Sequence, residues 1–236
     1  MVSLLTLALV GVSAAQERDE ALEGAVRAAL KSEKLDKEVA EVVAIDGNVT
    51  LRGKPSNALK KMQAIEIALG VEGVTGVEDE LEVAAPESQE EFVKDLVSKV
   101  LTYPNLTVFD DVGFQIEDEG IVVLTGWVTE PFKKDEIEAR VSTVRGVRQL
   151  NNVIEVLPVG GTDDRLRRSL FDNIYGDEMF IQYANRAHPP IRLIVNRGRV
   201  ILSGAVRNRI EKLKAETIAR STFGVINVEN RLQVSP

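Results

Sequence analysis

Seven arginines in the last third of the chain are the side chains most suited to chemistry. A guanidinium group stays charged at physiological pH and donates paired hydrogen bonds to phosphate oxygens. The seven are Arg165, Arg168, Arg192, Arg197, Arg199, Arg207 and Arg209. We expect them to form an anion-binding surface. The alternative is that they are ordinary solvated side chains, some of them paired with Glu211, Glu216 or Asp177.

The distribution of charge supports the first interpretation. Residues 16–88 hold 16 acidic and 9 basic residues, residues 89–160 hold 13 and 7, and residues 161–236 hold 8 and 13. The net charges of the three parts are therefore −7, −6 and +5, within a total of −8. Only the last part would be attracted to an anionic bilayer, whereas the first two would be repelled by one.

Other chemistry has little support in the sequence. The chain has no cysteine, which excludes disulfides and thiolate zinc sites, and His188 is its only histidine. The carboxylates form no recognisable acid and base pair, and no nucleophile has a base near it in sequence. We expect no catalytic residue, no metal site and no cofactor. The single tryptophan, Trp127, is expected to pack between domains, with anchoring at a membrane as the alternative.

Nine glycines divide the chain into three copies of one pattern. In each copy the second glycine follows the first by six residues, and the third follows the second by twenty. The sets are Gly47, Gly53 and Gly73; Gly120, Gly126 and Gly146; and Gly198, Gly204 and Gly224. Apolar residues recur two and four positions after each first glycine. The chain is therefore a tandem array of one small module.

Each copy is predicted to run helix, strand, strand, helix, strand. Apolar residues two apart on both sides of the first glycine indicate a β-hairpin. The twenty residues before the third glycine have a helical pattern, and a further helix is expected upstream, over residues 21–30, 92–101 and 166–175. The fold class is α+β, with a three-stranded mixed sheet covered by two helices in each module.

The third hairpin determines where the arginines would lie. If it turns at Gly198, Arg192 lies opposite Gly204. One end of the sheet would then hold Arg192, Arg207 and Arg209, and the hairpin tip would hold Arg197 and Arg199. We expect the first of these groups to be the main anion-binding set.

The repeated signature resembles the BON domain, the bacterial OsmY and nodulation module. In the first copy it reads Gly47-Asn48-Val49-Thr50-Leu51-Arg52-Gly53, followed by Gly73-Val74 and Asp79. The later copies keep Gly120 to Gly126 with Gly146-Val147 and Asn152, and Gly198 to Gly204 with Gly224-Val225 and Asn230. The resemblance covers nearly all of the chain after its first twenty residues, as in an OsmY-like periplasmic protein.

The resemblance implies a non-enzymatic envelope protein that binds phospholipid or attaches other proteins to membrane surfaces. With the charge distribution, it predicts that the third module binds anionic phospholipid headgroups, in a role in envelope maintenance or stress response. The alternative is a periplasmic adaptor or holdase chaperone that binds polypeptide at its sheet edges and interdomain grooves. Other envelope proteins are possible partners, and no nucleic-acid partner is expected.

The N-terminus predicts export. Residues 1–15 carry no charge and end in Val12-Ser13-Ala14-Ala15, which is typical of a secretory signal cleaved after Ala14 or Ala15. A basic n-region is missing, so either the start lies upstream or the signal is atypical, and a short apolar helix is the alternative. The expected organisation is a signal peptide at 1–15 and modules at 18–84, 89–157 and 162–236, in a periplasmic protein.

Overall fold

The computed structural model describes residues 18–117, 120–158, 160–184, 186 and 189–235. The predicted signal peptide, residues 118–119 of the second hairpin turn and His188 lie outside them. The described residues form two compact units. One unit holds residues 18–55 and Leu59–Glu82, and the other holds Ser56–Ala58 and the residues from Val83 onward. The second and third predicted modules therefore belong to one compact unit.

Seven helices and eleven strands make up the described part of the chain. Module 1 contains α1 (Glu20–Ser32), β1 (Val39–Ile45), β2 (Asn48–Gly53), α2 (Ala58–Leu69) and β3 (Gly76–Leu81). Module 2 contains α3 (Gln89–Leu101), β4 (Asp111–Glu117), β5 (Ile121–Val128), α4 (Pro131–Ser142), β6 (Gln149–Asn152) and β7 (Glu155–Val156). Module 3 contains α5 (Gly161–Tyr175), α6 (Ile181–Ala184), β8 (Ile191–Asn196), β9 (Arg199–Val206), α7 (Arg209–Ser221), β10 (Asn227–Asn230) and β11 (Gln233–Val234).

The sheets have one topology. The first strand of each module pairs antiparallel with the second, and the closing strand pairs parallel with the second. The predicted α+β class and element order are confirmed in all three copies. The short helix α6, which has no counterpart in the other modules, was not predicted; its Tyr183 packs into the third core.

The closing strand is interrupted in modules 2 and 3. The side-chain oxygen of Asn152 accepts a hydrogen bond from Ile154 N at 3.2 Å, and Asn230 accepts one from Leu232 N at the same distance. Each asparagine also donates to a carbonyl of the helix behind it, Lys134 O at 3.1 Å or Lys212 O at 3.0 Å. These bonds hold the local break that divides each closing strand in two.

Helix starts follow from local capping. Asp19, Ser88 and Asn208 precede α1, α3 and α7, and each side chain accepts a hydrogen bond from the backbone N–H three residues later. Such caps satisfy N–H groups that have no partner within the helix. In α4 the first residue is Pro131, which has no N–H to satisfy.

Each module has its own apolar core. Three residues of the first helix, spaced by four, enter it: Leu22, Val26 and Leu30 in module 1; Phe92, Leu96 and Val100 in module 2; and Leu166, Leu170 and Ile174 in module 3. The third core also contains Val108, which belongs to the segment before β4. Module 3 is thus completed by a residue from outside its predicted limits of 162–236.

Candidate functional site

The turn of the third hairpin sets the positions of the arginines. It consists of Arg197 and Gly198, with φ of 50° and 76°, and it joins Asn196 to Arg199. Positive φ at both central residues matches the right-handed twist of the two strands. The expected turn at Gly198 was therefore placed correctly to within one residue.

The predicted pairing of Arg192 with Gly204 is wrong by one residue. Ile191 lies opposite Gly204, and Arg192 lies opposite Ser203. The reason is that the turn has two central residues, so the pairing is centred between Arg197 and Gly198. The guanidinium of Arg192 donates to Thr107 O at 3.1 Å. Arg192 thus helps to hold module 3 against the segment before β4.

Arg207 is also engaged by its own module. Its Nε lies 3.0 Å from Glu211 Oε1, and its guanidinium carbon lies 5.3 Å from the centre of the Tyr183 ring. Tyr183 Oη donates to the same buried carboxylate at 2.8 Å. Burial raises the pKa of Glu211, but the Arg207 N–H, the Tyr183 hydroxyl and the Arg207 guanidinium outweigh it, so the net pKa is lowered.

The three arginines expected to form the main set therefore do not act as one free cationic cluster. Arg209 is exposed at the first residue of α7, while Arg192 and Arg207 have polar partners within the protein. On α5, Arg165 and Arg168 are exposed, and Arg168 Nε donates to Asp164 O at 3.3 Å. The partner of Arg192, Thr107, lies 85 residues away in sequence and could not be identified from spacing. Glu211, in contrast, follows Arg207 by four residues and is one of the partners expected under the alternative interpretation.

The hairpin tip presents its arginines differently. The carboxylate of Asp163 accepts hydrogen bonds from Arg197 N at 2.7 Å and Gly198 N at 3.0 Å, and this fixes the tip against α5. The side chains of Arg197 and Arg199 are exposed, and neither makes a hydrogen bond or ion pair with the described residues. Their charges are therefore available to an external anion.

Two apolar side chains accompany these arginines. Ile226 N donates to Gly198 O at 2.8 Å, which ties the turn after α7 to the hairpin tip. In this turn the side chain of Phe223 is 99% exposed and that of Ile226 is 78% exposed. The equivalent positions hold Glu72 and Thr75 in module 1, and Arg145 and Arg148 in module 2. We call the group formed by Arg197, Arg199, Phe223 and Ile226 the tip surface.

A cleft of about 690 Å³ extends from the tip surface, and Arg197, Arg199 and Ile226 form one side of it. Its lining includes Trp127 and Glu155 of module 2 with Arg197, Arg199 and Glu229 of module 3. Arg231 lies over the Trp127 ring, 5.4 Å from its centre, and pairs with Glu229 at 2.6 Å. Trp127 therefore lies at the contact between two modules, as expected. Because the cleft contains charges of both signs, it is less suited to an anion than the tip surface is.

The sequence analysis missed Phe223 and Ile226, although comparison of the three glycine frames could have found them. It also missed a buried ion pair in module 2, between Lys133 Nζ and Asp110 Oδ2 at 2.7 Å. Asp110 accepts further bonds from the backbone and hydroxyl groups of Thr107 and Thr129. Lys60 pairs with Glu38 at the equivalent place in module 1. Both carboxylate oxygens of Asp110 and the ammonium group of Lys133 have partners within the protein, so this pair has the geometry of a structural element.

The tip surface combines exposed cations with exposed apolar side chains, a composition suited to the interface of a charged bilayer. Within the described ranges, no helix is long and apolar enough to span a membrane.

Comparison with known proteins gives a family for all three copies. The family model described as BON domain matches residues 18–85, 94–158 and 179–236. No curated protein sequence matches the chain.

Two similar solved structures are of CdsD, a structural protein of the type III secretion system of Chlamydia trachomatis. The structure of its C-terminal domain is 15% identical and has a TM-score of 0.25, with 92% of this chain and 99% of that chain covered. A second CdsD structure is 14% identical and has a TM-score of 0.26, with 92% and 93% covered. TM-scores this low support no argument about this protein.

Proposed function

The chain belongs to the BON domain family, and from this premise we propose that it is an exported envelope protein that binds anionic phospholipid surfaces through the tip surface of its third module. BON domains are binding domains associated with phospholipid binding and with envelope proteins. The proposal assigns this role to one module and to one end of its sheet.

The observation that carries the proposal is the exposure of Phe223 beside unpaired arginines. A phenylalanine that is 99% exposed has no packing role in the described structure. Insertion of an aromatic ring among lipid headgroups removes its apolar surface from water, while nearby guanidinium groups attract lipid phosphates. The tip surface offers both interactions, because its arginines lie on the hairpin turn and its apolar side chains lie on the turn after α7.

The charge of the third module supports the same assignment. Its net charge of +5 contrasts with −7 and −6 for the preceding parts of the chain. Each basic residue close to an anionic membrane contributes about 1 kcal/mol of attraction. Arg197 and Arg199 would thus supply about 2 kcal/mol. Together with partial burial of Phe223 and Ile226, this is enough for weak and reversible binding.

Vesicle flotation tests the proposal. The chain is mixed with vesicles of phosphatidylglycerol and phosphatidylcholine, or of phosphatidylcholine alone, at low and high salt. We expect binding to the anionic vesicles only, and weaker binding as salt screens the charges. The variant Phe223→Glu/Ile226→Thr, which introduces the residues of module 1, should bind at least fivefold less and unfold at an unchanged temperature.

A matched control is Leu213→Glu/Ile210→Thr, which makes similar changes on the exposed face of α7. It should bind anionic vesicles as the original chain does. Equal loss in both variants would show that apolar exposure in general, and not the tip surface, determines binding. Undiminished binding by the tip variant would contradict the proposal.

Export is the second part of the proposal and rests on the apolar N-terminal segment. The mature protein is expected to begin at Ala15 or Gln16. Mass spectrometry of the native protein should therefore find no peptide that retains residues 1–9. An abundant intact N-terminus in a cytoplasmic fraction would contradict export and leave the lipid-binding test unaffected.

A further inference from the structure

The first strand of each hairpin is an edge of its sheet, and in module 1 that edge is closed by α1. Glu23 Oε1 accepts a hydrogen bond from Ala44 N at 3.2 Å, and Arg27 donates to Val42 O at 3.2 Å. Ala44 O accepts a further bond from Asp19 N at 2.8 Å. These groups use backbone positions that would otherwise pair with an added strand.

Module 3 closes the same edge with different side chains. Arg167 donates to Val195 O at 2.9 Å, and the hydroxyl of Tyr175 bonds both the carbonyl and the N–H of Ile191. Between these contacts, Leu193 N donates to Val108 O at 2.7 Å. Val108 therefore occupies part of this edge through one backbone hydrogen bond, from a tight turn closed by Asp110 N and Thr107 O at 3.2 Å, with its side chain in the core.

Alignment of the sequences of the three first helices by their core residues identifies the positions that cover the edge. In module 1 the first core residue is Leu22, and the side chains that bond the edge, Glu23 and Arg27, follow it by one and five positions. In module 3 the first core residue is Leu166, and Arg167 and Tyr175 follow it by one and nine positions. In module 2 the first core residue is Phe92, so these positions hold Val93, Val97 and Leu101. None of these three side chains can form a hydrogen bond.

The three side chains form an exposed apolar stripe on α3. Val93 and Val97 are each 37% exposed and Leu101 is 46% exposed. The first strand of this module, β4, is an edge strand that pairs with β5 alone among the described strands. In the register of the hairpin, Val112, Phe114 and Ile116 hold the positions that Ile191, Leu193 and Val195 hold in module 3. Their backbone N–H and C=O groups therefore point away from β5, toward the open edge of the sheet. Among the described residues, no group outside the sheet forms a hydrogen bond with them.

A cleft of about 490 Å³ separates the start of α3 from the end of β4. Its lining includes Gln89 and Phe92 of α3 with Ile116 and Glu117 of β4. One wall offers backbone hydrogen-bonding groups and the other offers apolar side chains. This is the combination that strand addition uses, because main-chain bonds give affinity and side-chain contacts give specificity.

We propose that this groove in module 2 binds an extended segment of a partner polypeptide, which adds as a strand beside β4 and packs apolar side chains on the α3 stripe. Module 3 supplies an internal precedent for one such bond, since Val108 O accepts a hydrogen bond from Leu193 N at the equivalent edge there. The proposal concerns a site and a ligand class separate from the lipid-binding tip surface.

Charge indicates which segment fits. Glu90 lies one turn before Val93, and Asp111 and Glu117 are the ends of β4. The basic neighbours are Lys94 on α3 and Arg148 in the lining of the cleft. A second copy of β4 paired antiparallel would bring Asp111 close to the partner's acidic end and is disfavoured. The occupant is therefore an apolar segment flanked by lysine or arginine.

Fluorescence anisotropy with the full chain tests the proposal. The probe is a labelled peptide in which the sequence of residues 105–109 is flanked on each side by two lysines. We expect saturable binding, and at least tenfold weaker binding of a peptide with proline in place of the central residue, because proline cannot donate a ladder hydrogen bond. No saturable binding of the first peptide, or equal binding of the proline peptide, would overturn the proposal.

The matched variant is Val93→Glu/Val97→Arg, which places the closing pair of module 1 on α3. Affinity for the probe should fall at least tenfold, while Leu213→Glu/Thr217→Arg, the same pair of charges on α7, should change it less than twofold. Hydrogen exchange on the original chain provides a test that requires no variant. Probe binding should slow exchange at Val112, Phe114 and Ile116 at least tenfold, and unchanged rates there would exclude strand addition.

Discussion

At the scale of single residues, the third hairpin depends on a glycine at position 198. Gly198 has φ of 76°, and a Cβ placed there would come within 2.9 Å of Ile226 Cδ1 and 3.2 Å of Gly224 O. A β-branched side chain would meet both the unfavourable backbone conformation and this contact.

Gly198→Val is therefore expected to destabilise the chain by about 2 kcal/mol or more. The measurement is urea-induced unfolding followed by circular dichroism. Gly161→Val is the control, since a Cβ at Gly161 meets nothing within 4 Å, and it should change the free energy of unfolding by less than about 0.5 kcal/mol. Equal effects of the two substitutions would show that the turn geometry is unimportant.

The buried pair of Asp110 and Lys133 is the second feature at this scale. Burial raises the pKa of Asp110, but hydrogen bonds from Lys133, Thr107 and Thr129 lower it further than burial raises it. The pKa of Asp110 is thus lower in the folded state than in the unfolded state, where it is about 3.9. The ionised carboxylate therefore contributes its full stabilisation of the fold above about pH 3.9, and this contribution is lost as the pH falls through the folded-state pKa.

Asp110→Asn should cost about 3–5 kcal/mol, because it leaves the Lys133 ammonium buried without its counter-charge. Adding Lys133→Met should restore part of the loss. Thermal unfolding of both variants between about pH 2 and 7, the range in which carboxylates titrate, measures the loss and its partial recovery. On acidification, the double variant should lose less stability than the original chain. A single variant as stable as the original would contradict the assigned role.

At the scale of elements, the helices protect sheet edges as well as apolar cores. Tyr175 illustrates this, because its hydroxyl donates to Ile191 O at 2.5 Å and accepts from Ile191 N at 3.2 Å. Its burial raises its pKa, which keeps the hydroxyl protonated. Removal of the hydroxyl would leave two buried backbone groups without this partner.

Tyr175→Phe is therefore expected to destabilise the chain by about 1–3 kcal/mol. Tyr103→Phe is the matched control. Its hydroxyl donates to Glu136 at 2.5 Å, and Glu136 is exposed, so water can replace the lost bond. The control should cost less than about 1 kcal/mol in the same denaturation experiment. A larger effect of the control would contradict the closing role of Tyr175.

At the scale of the whole molecule, the modules differ in their independence. The core of module 1 consists of residues 22–81 alone, whereas the core of module 3 includes Val108. Leu193 N also depends on Val108 O for a hydrogen bond. Although the modules repeat one pattern, module 3 thus needs a residue from outside its limits to complete its core, whereas module 1 does not.

We expect residues 18–84 to melt cooperatively as an isolated fragment. Residues 162–236 should melt at least about 5 °C below residues 89–236, since a loss of about 1 kcal/mol shifts Tm by about 4–8 °C in domains of this size. Differential scanning calorimetry of the three fragments measures this. Equal transitions for the two longer fragments would show that Val108 contributes little to module 3.

The sequence by itself determined the number of copies, the order of elements, the fold class and the division of charge. These features are local or additive: glycines mark turns, apolar spacing marks strands and helices, and charges are counted from the composition. The copies can also be compared position by position, which would have identified Phe223, Ile226 and the apolar stripe on α3.

Only the tertiary structure decided how these residues are used. The pairing register differed by one residue from expectation, because it depends on the conformation of Arg197 as well as on Gly198. Arg192 binds Thr107, and Val108 enters the core of another module. Such contacts join positions that are distant in sequence, and their energies depend on geometry that composition and spacing do not contain.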